Sequence, residues 1–194
     1  MPDFFTLTCE LLRRDSFRMD CLKAARQLQL QDYYLAAGFL RNAIWDHLHG
    51  LSEMTPLNDI DLVFFDPADL STETEQQLCF QLYQRLPCAN WEVRNQARMH
   101  VLQGHAPYQN TAEAIAQWVE IPTCVGVRLE LDDSLSFCAP YGLEQNWSLD
   151  LKLNLQNPRP ELFAQRLQQK NWLTLWPKLQ LKPYATPPED DGFQ

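Results

Sequence analysis

The sequence predicts an α+β fold, a mixed sheet with flanking helices, on three observations. Short runs of apolar strand formers at residues 34–37, 59–65 and 91–97 alternate with stretches whose apolar residues recur at helical spacing. Two further apolar runs, 123–131 and 135–139, flank the acidic turn Asp132, Asp133, Ser134 and read as a hairpin. Strands separated by helices, followed by antiparallel pieces, fit a sheet covered on at least one side, with the strand order left open.

Residues 4–30 are helical in pattern: FFTLTCELLRRD leads into SFRMDCLKAARQLQL, where Cys21, Ala24, Ala25 and Leu28 recur near helical spacing. Gly38 ends the first strand where backbone freedom is useful, and residues 40–49 resume helical spacing until Gly50. After LSEMTPLN, with its Pro56 turn signal, comes the strand at 59–65. The following DPADLST supplies a turn and capping residues for a helix over 73–86, which Pro87 stops. In the strand at 91–97, Trp91, Val93 and Asn95 take one face, Glu92 and Arg94 the other. Helices follow at 112–118, 143–149 and 160–169, with a short turn at 173–176. Pro160 suits a first helical turn, where its missing N–H costs nothing. Residues 1–182 read as one domain, and 183–194 as a loose tail too poor in apolar side chains to fold alone.

The 194 residues are 45% hydrophobic and 21% charged with a net charge of −9, which fits a folded protein and works against unspecific attraction to nucleic acid. No apolar run reaches the roughly 18 to 20 residues of a membrane span. The start MPDFFTLTCELLRRD lacks the features of a signal peptide, so the expected compartment is the cytoplasm. Six cysteines without a CxxC pair or a zinc-like spacing to histidine point to small buried side chains rather than a disulfide framework. Charge is uneven: residues 151–182 hold six basic side chains against one acid, Glu161. That segment either covers or extends an otherwise acidic body, or simply solvates helix surfaces.

Asp59 and Asp61 in NDIDLVFF lie two apart on a strand and so share a face, anchored by Ile60 and Leu62. Carboxylates this close raise each other's proton affinity unless a cation, hydrogen bonds or solvent balances them. A magnesium ion supplies that balance, and phosphates complete its coordination. The pair therefore suits phosphoryl or nucleotidyl transfer.

Taken together, AAGFLRNAIWDHLHG, TPLNDIDLVFFD, NQARMH, VGVRLE and APYGL resemble a family of small bacterial nucleotidyltransferase-like proteins of unsettled substrate. The family lies within the superfamily of DNA polymerase beta, the tRNA CCA-adding enzymes and bacterial poly(A) polymerases, and the resemblance runs from about Tyr33 to Trp176. It implies a polymerase beta palm-like fold whose active site holds Mg²⁺ or Mn²⁺ and a nucleoside triphosphate. Asp59 and Asp61 would hold the metal, Gly38 would let the backbone approach the phosphates, and Arg41 would neutralise phosphate charge or pair with an aspartate. Phe39 stands where the family has a second small residue, and Asn42 where an acid is common. A Phe39 ring in the triphosphate space would favour a noncatalytic nucleotide- or protein-binding member of the same fold.

The resemblance also implies a third carboxylate on a neighbouring strand. Glu92 is the candidate, as metal ligand or as base for the acceptor hydroxyl, and its alternative is an ion pair with Arg94 or Arg41. Arg98 and His100 either reach the cleft and touch phosphate or acceptor, or hydrogen-bond a buried loop. No RNA-binding module follows and the body is acidic. The expected reaction is therefore transfer of a nucleoside monophosphate to a small hydroxyl-bearing acceptor, with release of pyrophosphate, and long nucleic acid is not expected as a partner.

Overall fold

The computed structural model describes residues 3–184, so the tail reading beyond Tyr184 lies outside the described residues. Helices α1 (Phe4–Arg14) and α2 (Ser16–Arg26) meet at Asp15, whose carboxylate accepts from the Arg18 N–H and caps α2. Strand β1 (Tyr33–Ala36) runs into α3 (Gly38–His49), which Gly50 closes in the left-handed conformation. Next come β2 (Ile60–Phe64), α4 (Thr72–Arg85), β3 (Trp91–Asn95), and the short helices α5 (Met99–Gln103) and α6 (Thr111–Ile115). The hairpin β4 (Gly126–Leu129) and β5 (Leu135–Cys138) leads to a C-terminal run: α7 (Glu144–Trp147), β6 (Asp150–Leu151), α8 (Pro160–Lys170), α9 (Trp172–Leu175) and β7 (Gln180–Leu181).

Five strands form a mixed sheet in the order β3-β2-β1-β4-β5, with β2 and β3 parallel and the other pairs antiparallel. Strand alternation gives the sheet two different faces. Tyr33, Leu35, Ile60, Leu62, Phe64, Trp91, Val93 and Val127 join the main core with Leu12, Leu22 and Leu40 of the helices. The opposite face carries Tyr34, Ala36, Asp61, Val63, Glu92 and Arg94. It is only partly covered, where Ile115 of α6, Cys124 and Cys138 pack on Ala36 and Val63. Gly126 sits on this face because a Cβ there would come within 2.8 Å of the Tyr34 Cβ.

The α+β class and mixed sheet are those the sequence predicts. Several boundaries shift, as where the helix read at 112–118 is confined to Thr111–Ile115, and two of the shifts have a visible physical cause. Strand β3 ends at Asn95 because its side chain accepts from the Ala97 N–H at 3.0 Å and starts a tight 3-10 turn, Gln96–Arg98, followed by α5, which the periodicity did not reveal. Residues 123–131 are not one strand, since Ile121–Thr123 forms a second 3-10 turn with Pro122 in it and pairing begins only at Gly126.

The C-terminal run docks on the other flank of α3. Trp172 and Trp176 pack edge-on against Trp45 at 6.1 and 5.1 Å between ring centres. Buried Asp46 ties this cluster to the loop before β2: it accepts from the Trp176 indole N–H at 2.7 Å and from the Thr55 N–H and hydroxyl at 2.8 and 2.6 Å. No helix among the described residues is long and apolar enough to cross a membrane.

Candidate active site

The partly open sheet face places the paired acids where a cleft forms. Asp61 lies on β2 and Asp59 two residues before it, both half-buried. Glu92 on β3 is in direct register with Asp61, so the two carboxylates point the same way from neighbouring parallel strands. Burial, followed by the charges of Asp59 and Glu92, pushes the Asp61 carboxyl up to about 6. Among the described residues neither Asp59 nor Asp61 forms a salt bridge, whereas Glu92 holds Arg94 at 2.8 Å.

Helix α3 begins beside these acids without a side-chain cap, its first backbone bond running from Arg41 N–H to the Ala37 carbonyl at 3.1 Å. The unusual backbone is at Ala37 (φ 54°, ψ −120°) rather than at Gly38, where the sequence placed the freedom. Phe39 does not enter the cleft. Its ring is buried in the main core beneath Arg18, whose Nε–H donates to the Phe39 carbonyl at 2.8 Å.

Arg41 is almost wholly buried. Its Nη1 donates to Thr123 Oγ1 at 2.7 Å and its Nη2 to Asn42 Oδ1 at 2.9 Å, while the guanidinium lies 5.0 Å from the Trp45 ring and 4.7 Å from the Trp172 ring. Burial lowers its proton affinity to about 10, partly offset by Glu120, Asp61 and Asp59, so the Arg41 charge belongs to the site's field. Asn42, in the place of the common acid, acts as acceptor for Arg41.

Two hollows flank the acids. One of about 250 Å³ is lined by Gly38, Arg41, Asn42, Asp59, Lys170 and Trp172, and the other, of about 320 Å³, has Asp61 and Arg94 on its floor and Arg159 and Arg166 of the α8 region on its far wall. Lys170, Thr123 and the fully buried Glu120, which accepts from Arg166, escaped the sequence reading. The only prior signal was for Lys170, in the basic bias of residues 151–182. That segment covers the acidic body: Arg166 meets Glu120, Lys152 and Lys182 meet Asp150, and Lys178 donates to the Leu48 carbonyl.

The structure does not bring Arg98 and His100 into the same role. Arg98 forms a two-pronged pair with buried Glu75 of α4 at 2.8 and 2.6 Å, because the turn after Asn95 swings it that way. It lines a third hollow together with Asp59 and Glu92, but its guanidinium is committed to Glu75. His100 Nδ1 contacts the Ala97 carbonyl at 2.9 Å and its ring meets Tyr108 edge-on, away from all three hollows. Asn95 Nδ2 donates to the carbonyls of Asp66 and Asp69, so this polar cluster anchors a loop.

No group of three or more His, Cys, Asp or Glu side chains among the described residues is gathered closely enough to hold a metal ion. The donor set nonetheless fits a hard divalent cation of the magnesium kind. Such ions commonly take one or two protein carboxylates and fill their remaining positions with water and substrate phosphates, and Asp59 and Asp61 offer two carboxylates with no protein cation paired to them.

Comparison with known proteins agrees with this geometry. A family profile described as nucleotidyltransferase matches residues 23–181. A structure determined by NMR and described as revealing a CCA-adding enzyme head domain is 34% identical, with 91% of this chain and 95% of that one covered and a TM-score of 0.80. A chain from a structure of a tRNA-processing enzyme complex shares the fold at 14% identity and a TM-score of 0.52, over 84% of this chain and 43% of that one. No curated protein matches the chain.

Proposed function

Since the chain belongs to the nucleotidyltransferase family, we propose that it transfers a nucleoside monophosphate from a nucleoside triphosphate to a hydroxyl of a small acceptor, using Asp59 and Asp61. The carrying observation is the half-buried Asp61, its proton affinity raised and no protein cation paired to it, beside the uncapped start of α3. Asp59 and Asp61 would hold Mg²⁺ or Mn²⁺, which when bound neutralises the carboxylates and polarises phosphate oxygens.

The chain's own residues do the rest. The free N–H groups at the start of α3 and the helix dipole bind phosphate, with Arg41 and Lys170 adding positive charge on either side of the same hollow. The acceptor oxygen attacks the α-phosphorus, the bond to the β-phosphate oxygen breaks, pyrophosphate leaves, and the hydroxyl proton passes to Glu92. The Phe39 ring is buried in the main core and does not line this hollow, which supports the transferase reading. A small acceptor is favoured because Arg159 and Arg166 face the cleft under α8 instead of forming an outward basic stripe.

The pairing of Glu92 with Arg94 favours a second reading, a binder of nucleotide without turnover. Calorimetry with a nonhydrolysable triphosphate, with and without Mg²⁺, tests both. Binding should require the metal and fall about a hundredfold or more in Asp59→Asn/Asp61→Asn, a loss of roughly 2.7 kcal/mol. Metal-independent binding, or none to any of the four triphosphates, would sink the proposal. Binding of the analogue, with no pyrophosphate released from the natural triphosphates across a broad acceptor panel, would select the second reading.

A further inference from the structure

The 320 Å³ hollow is lined by three guanidinium groups and two carboxylates, Asp61 and Glu120. Arg94 comes from β3, Arg159 from the residue before α8, and Arg166 from one face of α8 two turns on. Arg94 is paired with Glu92 and Arg166 with Glu120. Arg159 forms no salt bridge among the described residues, and its Nη2 donates only to the Gln103 carbonyl at 3.2 Å. In a chain of net charge −9, an unneutralised guanidinium turned into a cleft with a paired arginine on each side is an anion-recognition arrangement. The start of α8 adds the positive end of an 11-residue helix to the same wall.

The proposed triphosphate groups lie elsewhere. Gly38, Arg41, Asp59 and Lys170 line the 250 Å³ hollow, which shares no lining residue with the 320 Å³ one, where Ala37 and Asp61 stand. Asp61 and Arg159 line the same 320 Å³ hollow, so one small molecule held there has a carboxylate of the proposed site for its hydroxyl and a guanidinium for an oxyanion. Its volume is near the lower end of small-molecule sites, roughly 300 to 1,000 Å³.

We propose that this hollow is the acceptor subsite and that the acceptor is a small hydroxyl compound bearing a phosphate or carboxylate group, bound through Arg159 with Arg94 and Arg166. The inference rests on the transferase reading for its hydroxyl and on the hollow alone for its anion.

Glycerol 3-phosphate, glycerate and glycerol, titrated by calorimetry into protein saturated with Mg²⁺ and a nonhydrolysable triphosphate, share one hydroxyl scaffold and differ in the anion. At least one charged compound should bind about tenfold or more tightly than glycerol, and Arg159→Gln should cost that compound about tenfold, with Arg159→Lys recovering part. Whichever of the two binds more tightly identifies phosphate or carboxylate as the group read. Arg159→Gln should leave the affinity for the triphosphate analogue and the thermal melting curve as in the parent. Equal binding of all three compounds, or charged-compound affinity unchanged in Arg159→Gln, would overturn the proposal. So would an equal loss of triphosphate affinity in that variant, which would place Arg159 on the nucleotide. If the analogue fails to bind the parent while a charged compound binds in an Arg159-dependent way, the transferase reading fails and the anion site stands.

Discussion

Burial, and then the charges of Asp59 and Glu92, push the Asp61 carboxyl up to about 6, against 3.8 for an ordinary aspartate. The folded state thus binds this proton more tightly than the unfolded chain, so the contribution of Asp61 to stability is most favourable below 3.8 and declines as pH rises through 6. Asp61→Asn is expected to raise stability near pH 7.5 by on the order of 2 kcal/mol in thermal melts, the gain shrinking toward pH 4. A pH-independent gain would show that the charge is not its cause. Ala37 is a second strained residue: its φ of 54° with ψ −120° suits glycine. Ala37→Gly should stabilise by about 1 kcal/mol in urea titration, and a loss of that size would refute the strain. That Asp61 faces away from the core was legible in the sequence, because strand alternation sets it opposite Ile60 and Leu62, whereas Asp59 precedes β2 and lies outside that alternation. The strain at Ala37 was not legible, since nothing about an alanine next to a glycine says which of the two takes the unusual dihedral.

Helix α3 is the element through which distant pieces reach the site. Asp46 in its middle bonds Thr55 on one side and Trp176 on the other, holding the loop that delivers Asp59 and the run that delivers Lys170. Trp176→Phe keeps most of the ring packing and removes the indole donor, so it should cost about 1 kcal/mol in urea, against about 3 to 5 kcal/mol for Trp176→Ala. No measurable cost for Trp176→Phe would mean that the Asp46 bond adds nothing. The helix itself could be read from its spacing and from Gly50. Its partners could not, because Glu120, Thr123 and Lys170 carry no local pattern and meet Arg41 only through the chain's return past the far flank.

At the scale of the molecule, the proposed small acceptor predicts that the basic segment does not make this acidic protein a nucleic-acid binder, since Arg166 pairs with Glu120 and Lys152 and Lys182 pair with Asp150. Fluorescence anisotropy at physiological salt should detect no association with tRNA or single-stranded RNA tighter than the roughly 1 to 100 µM of unspecific contacts. Tighter, salt-sensitive binding would contradict a small acceptor. The sheet's class followed from alternating short strands and helices, while its order, with β1 in the centre, depends on pairings between segments far apart in sequence. The placement of Trp172 gives the protein a property of practical use. Its indole stands between the guanidinium groups of Arg41, at 4.7 Å, and Arg166, at 5.8 Å, one facing each hollow. An excited indole is sensitive to nearby charge, so the emission of Trp172, one of six tryptophans, is expected to respond when either hollow is filled, and comparison with Trp172→Phe isolates its share.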